Sequence, residues 1–324
     1  MEKHRVAITG VNGYVGSVLR DYLLKQDDVE FVLGLDIKAK QIKNEKFKFV
    51  QTDIRSNKIA EILSENEITD LFHLAFILEN ISDENLMYDI NVNGTENVLN
   101  CAVSAGIKSV VVASSISVFG AWESAKGMHS ENDNPRPNEG DLYGLHKTIV
   151  EGICEKYMAT NPEMRVMIVR FSGVFGPNLR SRILLSALKQ PFAVLPYGSE
   201  GAFQIIHEEE VAEICYKAMK NGTSGIYHAA GKDVVTMKQL YEMLGKRYFY
   251  MPYRILKALA LFATRIKLAV TNTFQLELLR YPVLIDGETT FKKLGTRPLK
   301  SAGEIIAEFA RSHGIKIKKK KEKH

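Results

Sequence analysis

A tyrosine and a lysine four residues apart, Tyr143 and Lys147, could together carry out acid–base chemistry. Residues at i and i+4 of a helix share a face, so the lysine ammonium can lie near the phenol. A nearby cation favours the phenolate, and we expect Lys147 to lower the pKa of Tyr143 from its ordinary value of about 10. Ser115 could hydrogen-bond a substrate oxygen that changes between alcohol and carbonyl.

The Y-x-x-x-K spacing is weak evidence alone, because it occurs three times in the chain. Two further pairs share it: Tyr216 with Lys220, and Tyr253 with Lys257. Only Tyr143 follows a predicted strand that ends in serines, at residues 110–115, and precedes a helix with an apolar face. This context predicts that Ser115, Tyr143 and Lys147 are the catalytic residues.

Three glycines at intervals of three, Gly10, Gly13 and Gly16, lie between a short apolar strand and a predicted helix. In that context such glycines permit a tight turn, close approach to a pyrophosphate, and close packing of helix and sheet. The helix N-terminus adds unpaired amides and partial positive charge. Asp36, twenty residues after Gly16, could accept the ribose hydroxyls of NAD and repel the 2′-phosphate of NADP, although Lys38 leaves tolerance of NADP open.

The order of predicted elements favours an α/β fold. Apolar runs predict strands at residues 6–8, 31–35, 47–50, 71–75, 110–113 and 166–170, with helical patterns between most of them. This alternation predicts a Rossmann-type doubly wound parallel sheet. We expect residues 1–175 to form an NAD-binding domain and residues 176–314 a smaller, mixed substrate lobe that partly returns to it. Residues 315–324 are expected to form a disordered lysine-rich tail.

The net charge of +5 is concentrated in the tail, where residues 316–323 hold six lysines and one glutamate. The rest of the chain is neutral, so the composition gives no argument for a nucleic-acid partner. Cys101, Cys154 and Cys215 show no C-x-x-C pairing, which argues against zinc or disulfides and fits a reducing cytoplasm. We expect no signal peptide and no membrane span, because charges interrupt the apolar stretch at residues 255–270.

Nine ordered stretches resemble the extended short-chain dehydrogenases/reductases, the NAD-dependent epimerase/dehydratase group, from about residue 5 to residue 310. They are TGVNGYVG at 9–16, LGLDI at 33–37, TDIR at 52–55, FHLAF at 72–76, NVNGT at 91–95, SSISVFG at 114–120, YGLHK at 143–147, RFSGVFGP at 170–177 and IIHEEEVAE at 205–213. The resemblance is to the UDP-glucose 4-epimerase-like branch, with some 3β-hydroxysteroid dehydrogenase-like character. It implies NAD as the cofactor and the same catalytic serine, tyrosine and lysine.

With the glycine turn, the resemblance implies a set of cofactor-binding residues. They are Gly10, Gly13, Tyr14, Val15, Gly16, Asp36, Ile37, Asp53, Ile54, Leu74, Ala75, Phe76, Asn91, Tyr143, Lys147 and Ser172. Asp53 and Ile54 would contact the adenine, Asn91 would support the catalytic site, and Ser172 would flank the nicotinamide. By the same resemblance, helices near residues 96–105 and 145–158 would form a homodimer contact.

The sequence departs from the family pattern at positions that bind substrate. Gly173 replaces an asparagine found in many UDP-sugar epimerases, an arginine expected near Phe203 is missing, and no R-x-G-D stretch precedes 283–286. Three arginines could substitute: Arg180, Arg182 and Arg280. Our main hypothesis is hydride transfer between NAD and a secondary alcohol or ketone of a nucleotide sugar.

Two alternatives stay open. The first is an NAD-dependent dehydrogenase of a lipophilic hydroxy substrate, for which the apolar stretch after Met251 could be a lid, a membrane-surface contact or a plain packed helix. The second is a non-catalytic NAD-binding regulatory or assembly module. The lysine tail could also assist peripheral contact with an anionic membrane. His207 and the three glutamates after it lack the H-E-x-x-H pattern, so no metal site is predicted.

Overall fold

The computed structural model describes residues 3–40, 42–78, 81–125, 127–180, 185, 192–197, 201–265, 276–315 and 317. Arg182, residues 266–270 of the apolar stretch and all but two residues of the predicted tail lie outside these described residues.

The described strands and helices alternate along the first half of the chain. The strands are β1 (His4–Thr9), β2 (Val29–Asp36), β3 (Phe47–Gln51), β4 (Asp70–His73), β5 (Ser109–Ser115), β6 (Arg165–Phe171), β7 (Gly173–Phe175), β8 (Phe192–Pro196), β9 (Ala202–His207), β10 (Gly225–Ala229), β11 (Val234–Thr236) and β12 (Arg247–Met251). The α-helices are α1 (Tyr14–Leu23), α2 (Ile59–Glu65), α3 (Glu84–Tyr88), α4 (Gly94–Ser104), α5 (Leu142–Thr160), α6 (Glu208–Asn221), α7 (Met237–Met243), α8 (Tyr253–Arg265), α9 (Glu288–Leu294) and α10 (Ala302–Ser312). A π-helical turn (Asp89–Asn93) joins α3 to α4, and a 3₁₀ turn (Ile116–Phe119) follows β5.

Seven parallel strands form the central sheet in the order β10-β6-β5-β4-β1-β2-β3. The predicted Rossmann-type doubly wound sheet is confirmed. The strand order reverses between β1 and β4, and ligands of such sheets bind outside the carboxyl ends of the strands at this switch point. The edge strand β10 comes from the C-terminal half of the chain and pairs with β6.

Apolar layers cover both faces of this sheet. On one face α1 and α6 pack through side chains such as Leu19, Leu23 and Met219. On the other face α2, α4 and α5 contribute side chains such as Leu63 and Val150. The regular apolar spacing of α1 in the sequence therefore corresponds to its buried face. No helix in the described ranges is both long enough and apolar enough to cross a bilayer.

Two small sheets lie in the C-terminal part of the chain. One has the order β11-β9-β7, and the other is the parallel pair β12-β8. A separate apolar cluster joins β9 and β11 to α7 and α10 through Ile205, Val235, Leu240 and Phe309. These elements have their own core, so the C-terminal part does not depend on the main sheet alone for its packing.

Candidate active site

The turn after β1 requires glycine at two positions. Gly10 has φ of +70°, and a Cβ added there would lie 2.8 Å from the backbone of Ala75. A Cβ on Gly16 would lie 2.2 Å from the carbonyl oxygen of Gly10. The sequence pattern therefore has a steric cause: β1, α1 and the segment after β4 approach each other at the switch point.

The N-terminus of α1 is suited to an anion. Its N-cap is Gly13, which offers no side chain to the free amides, and the described first turn contains no acidic residue. Tyr14 and Val15 form the start of the helix. Unpaired backbone N–H groups and the positive end of the helix dipole favour phosphate oxygens at this position.

Asp36 ends β2 with its carboxylate fixed in place. The backbone N–H of Asn12 donates to Oδ2 at 3.0 Å, and the backbone N–H of Lys38 donates to Oδ1 at 3.0 Å. Each oxygen keeps a lone pair for a ribose hydroxyl. Ile37 beside it is 59% exposed, so its side chain is available to a ligand.

Asp53 and Ile54 lie beyond β3 and differ in environment. Arg55 donates to the Asp53 carboxylate through Nε at 3.0 Å and Nη2 at 2.7 Å, and this contact lowers the pKa of Asp53. Arg55 also pairs with Asp89 at 2.8 Å. Ile54 is buried against Gly94. The predicted adenine contact thus combines an exposed, ionised carboxylate with a buried isoleucine.

A chain of buried polar groups holds the segment from Leu74 to Phe76. The Thr9 hydroxyl accepts from the backbone N–H of Leu74 at 3.2 Å and of Ala75 at 3.3 Å. His73 contacts Thr9 at 2.8 Å and Thr95 at 2.9 Å through its two ring nitrogens. Burial lowers the pKa of His73 to about 3, so the ring is neutral. The sequence analysis missed this role, although a histidine inside an apolar strand was the available signal.

Asn91 is fully buried in the π-helical turn and binds protein groups. Its side chain accepts from the backbone N–H of Ile77 at 2.7 Å and donates to the Ile77 carbonyl at 3.1 Å. Its Nδ2 also lies 3.4 Å from His146 Nδ1 on α5. Asn91 therefore fixes the segment after Phe76 relative to α5, which is a positioning contact.

The structure brings Ser115, Tyr143 and Lys147 together at the carboxyl edge of the sheet. Ser115 ends β5, and its hydroxyl lies close enough to Tyr143 to favour the phenolate form. Ser115 also donates to the Ser117 hydroxyl at 3.1 Å. Lys147, one turn after Tyr143 on α5, donates from Nζ to the Ala113 carbonyl at 2.6 Å.

The expected lowering of the Tyr143 pKa by Lys147 is not found. Burial raises the pKa of Tyr143 to about 12, against the hydrogen bond from Ser115, and the negative charge of Asp141 adds to the rise. The Lys147 Nζ lies 3.5 Å from the centroid of the Phe76 ring and 5.8 Å from that of the Tyr143 ring, and burial lowers the pKa of Lys147 itself to about 7. At neutral pH the phenol is therefore protonated.

The other two tyrosine–lysine pairs each hold a carboxylate. The Tyr216 hydroxyl donates to Asp28 at 2.6 Å, and Lys220 pairs with the same carboxylate. Tyr253 and Lys257 pair with Glu277 in the same way. In the Tyr143 pair the lysine instead contacts the Ala113 carbonyl and the Phe76 ring, so the three occurrences of one spacing differ in their contacts.

A buried ion pair lies beneath this edge of the sheet. Arg170 on β6 donates to both carboxylate oxygens of Glu151 on α5, at 3.0 and 2.7 Å, and both residues are almost fully buried. Ser114 donates to the same carboxylate at 2.5 Å. Ser172 is also buried and donates to the Ala229 carbonyl at 3.1 Å. These contacts fix the adjacent ends of β5, β6 and β10.

The residues considered for substrate contacts are engaged elsewhere. Arg180 lies 2.7 Å from His313, and Arg280 stacks on Tyr253 with its guanidinium carbon 4.4 Å from the ring centroid. A Cβ on Gly173 would lie 3.1 Å from the carbonyl of residue 204, so a larger side chain would be tight.

His207 caps α6 and lies 3.1 Å from the Lys300 ammonium. Within the described ranges, no group of three or more metal-ligating side chains occurs.

The comparisons with known proteins agree with this fold. The profile of the NAD dependent epimerase/dehydratase family matches residues 6–230. An uncharacterized protein of Sinorhizobium fredii is 24% identical over 311 residues, covering 93% of this chain and 76% of that protein. A UDP-glucose 4-epimerase of Neisseria meningitidis is 27% identical over 205 residues, covering 60% of each chain.

Two solved structures show the same fold. MoeE5 in complex with UDP-glucuronic acid and NAD superposes with a TM-score of 0.76 at 21% identity, covering 95% of this chain and 98% of that one. A UDP-glucose 4-epimerase of Stenotrophomonas maltophila with bound NAD gives a TM-score of 0.77 at 17% identity, covering 96% and 98%.

The fold and the sheet-edge site define a dinucleotide-dependent oxidoreductase of the extended short-chain dehydrogenase/reductase class. The chain belongs to the NAD-dependent epimerase/dehydratase family. It is thus an NAD-dependent enzyme.

Proposed function

We propose that the protein transfers hydride between NAD and a secondary alcohol or ketone carbon of a nucleotide sugar, as a 4-epimerase does. The observation that supports this best is the convergence of Ser115, Tyr143 and Lys147 at the end of β5. Only β4 separates β5 from β1 and its glycine turn. A cofactor lying across the switch point would therefore reach the tyrosine.

The residues at the switch point fit NAD, which supplies the hydride acceptor when bound. The amides at the start of α1 would hold the pyrophosphate, and Asp36 would accept the hydroxyls of the adenosine ribose. Asp53 would lie on the adenine side. Phe76 and Ser172 would flank the nicotinamide.

The proton chemistry follows from the protonated state of Tyr143. With a pKa of about 12, its phenol can donate a proton to a ketone oxygen while the carbon receives hydride. Ser115 would hydrogen-bond the same substrate oxygen and stabilise the developing charge. In the reverse direction Tyr143 would take the hydroxyl proton, and the ammonium of Lys147 would stabilise the resulting phenolate.

A second candidate function is oxidation of a lipophilic hydroxy substrate. It is favoured by the apolar Phe203 at a position where a diphosphate-binding arginine is expected, and by the engagement of Arg280 with Tyr253. Short-chain dehydrogenase/reductase family 42E member 1 of Xenopus laevis is 25% identical over 263 residues, 76% of this chain and 63% of that protein.

We also propose a cytoplasmic homodimer. Its interface would involve α4 and α5, where Val103 and Leu145 are 39% and 43% exposed. The described cysteines are free thiols, which fits a reducing compartment.

The test is turnover of purified protein with NAD, using UDP-sugars and hydroxysteroids in parallel and following absorbance at 340 nm together with product analysis. Conversion of a UDP-sugar without net NADH would support the epimerase. NADH formed only with a hydroxysteroid would support the second candidate. If the protein converts neither kind of substrate while NAD binding is intact, both candidate functions are refuted.

Tyr143→Phe should lower turnover by about 10²–10⁴-fold and leave NAD affinity unchanged, because only the proton-transfer group is removed. Tyr216→Phe is the matched control. It removes a hydroxyl from the same Y-x-x-x-K spacing but from a contact with Asp28, so turnover should persist. Unchanged turnover in Tyr143→Phe would show that the catalytic assignment is wrong.

A further inference from the structure

Helix α8 differs from the other described helices because none of its described side chains is buried. Its large apolar side chains face solvent: Ile255 is 51% exposed, Leu259 53%, Leu261 47% and Phe262 62%. A cluster of exposed apolar side chains on a protein marks a surface that binds another protein, a membrane or a ligand.

The exposed side chains of α8 form an ordered stripe. Ile255, Leu259 and Phe262 are spaced i, i+4 and i+7, so they line one face of the helix. Arg254 and Arg265, eleven residues or three turns apart, lie in line along the edge of that stripe and are also exposed. The opposite side of the helix contacts the rest of the protein, and there Lys257 pairs with Glu277.

Exposed aromatic residues also lie on the strand pair that leads into the helix, Phe249 on one of its faces and Tyr250 on the other. Phe249 and Tyr250 on β12 are 44% and 39% exposed, and β12 leads through Pro252 into α8. Phe249 contacts Phe192 of β8 at a centroid distance of 5.8 Å, and Tyr250 stacks on Tyr197 at 5.7 Å. Aromatic rings with a polar tip are favoured where a bilayer meets water.

The charge of this part of the chain has one sign. Between Glu242 and Glu277 the sequence contains six basic residues and no acidic one. Glu242 contacts Tyr248, and Glu277 contacts the opposite side of α8, whereas the exposed stripe itself is flanked by Arg254 and Arg265. Large apolar side chains flanked by cations complement acyl chains beneath anionic headgroups. We propose that α8, with the β8–β12 pair, is a docking surface for an anionic phospholipid bilayer, on which the helix lies in the interfacial plane.

The test is flotation of the full chain with vesicles of two compositions. One is phosphatidylcholine alone, and the other is phosphatidylcholine and phosphatidylglycerol in equal parts. The protein should float with the second and much less with the first. Leu259→Ser should weaken partition by on the order of tenfold, because one large apolar side chain leaves the bilayer. Leu299→Ser is the matched control: this leucine is 74% exposed and lies outside the docking surface, so partition should not change.

A combined substitution, Ile255→Ser with Leu259→Ser and Phe262→Ser, should abolish flotation. NAD affinity should be retained, and that result would show that the variant is folded. Replacing Arg254 and Arg265 with Gln should cost roughly fivefold in partition per charge. The electrostatic part should also weaken as salt is added.

Three results would overturn the proposal. The first is no flotation of the parent chain with either vesicle. The second is flotation that survives the triple substitution but disappears when Lys318–Lys321 are replaced with Gln, because the tail would then be the binding element. The third is a lower molar mass of the triple variant by light scattering, since the surface would then cover a second copy of the chain.

Discussion

Replacement of Asp141 with Asn should change stability with a defined pH dependence. Asp141 is the N-cap residue of α5 and is only 2% exposed, and its side chain makes no capping hydrogen bond to the described helix. Its Oδ2 has no hydrogen-bond partner within the described residues. Burial raises the pKa of this carboxyl from 3.8 to about 6, so the fold disfavours its charged form.

The size of the effect follows from the pKa difference. Two pKa units correspond to roughly 3 kcal/mol, an upper value for the cost of ionised Asp141 to the folded state. Because the folded pKa is the higher one, this cost is fully present above pH of about 6. It is lost as the pH falls to 3.8, where the carboxyl is neutral in both states. Asp141→Asn keeps the size and shape of the side chain and removes its charge.

Urea unfolding of both proteins at a series of pH values measures this difference. The free energy of unfolding of Asp141→Asn should exceed that of the parent above pH 6 by up to about 3 kcal/mol, and the gain should vanish near pH 4. Asp133→Asn is the control with the opposite sign, since Ser130 and His129 lower the pKa of Asp133. A gain that is equal at every pH, or a loss at pH 8, would refute the reasoning.

Three further substitutions test the cofactor side and the ion pair. Gly16→Ala should lose NAD binding in a calorimetric titration and cost roughly 1–3 kcal/mol of stability, because its Cβ meets a backbone carbonyl. Gly152→Ala is the control at an exposed position of α5: its Cβ meets nothing within 4 Å, so the variant should be stable and bind NAD. Asp36→Asn should shift the ratio of NAD to NADP affinity towards NADP by on the order of tenfold, and an unchanged ratio would contradict the ribose contact. Glu151→Gln should cost roughly 3–5 kcal/mol in denaturant unfolding, because Arg170 stays buried without its partner charge.

The sheet could be predicted from the sequence because its signals are local. Short apolar runs predicted the parallel strands. The glycines at 10, 13 and 16 predicted a turn, and in the structure the backbone segments at that turn approach each other too closely for a Cβ at position 10 or 16. The edge position of β10 could not be assigned, because nothing in residues 225–229 specifies a pairing with β6. Strand order depends on contacts between segments that are distant in sequence.

The candidate site was predictable in its residues but not in its electrostatics. Context selected Tyr143 from three identical spacings, and the structure places it beside Ser115. The direction of its pKa shift was wrong, because a helix places Lys147 near the tyrosine but does not determine where the ammonium points. The Ala113 carbonyl of β5 and the Phe76 ring, in the segment after β4, determine its direction. The Asp53–Arg55 pair was missed although both residues lie within the matched stretch at 52–55.

A nucleotide-sugar substrate and the attachment of α8 would both require the Arg280 side chain. Arg280 stacks on Tyr253, at the first turn of α8, and lies 3.8 Å from Glu277, which also binds Tyr253 and Lys257. A nucleotide sugar that recruited this arginine for its diphosphate would remove it from the contacts that attach α8. A lipophilic substrate would make no such demand and would reach the protein from the same bilayer that α8 is proposed to bind. The contacts of Arg280 therefore favour a lipophilic substrate over a nucleotide sugar, although Arg280 is not one of the proposed catalytic residues.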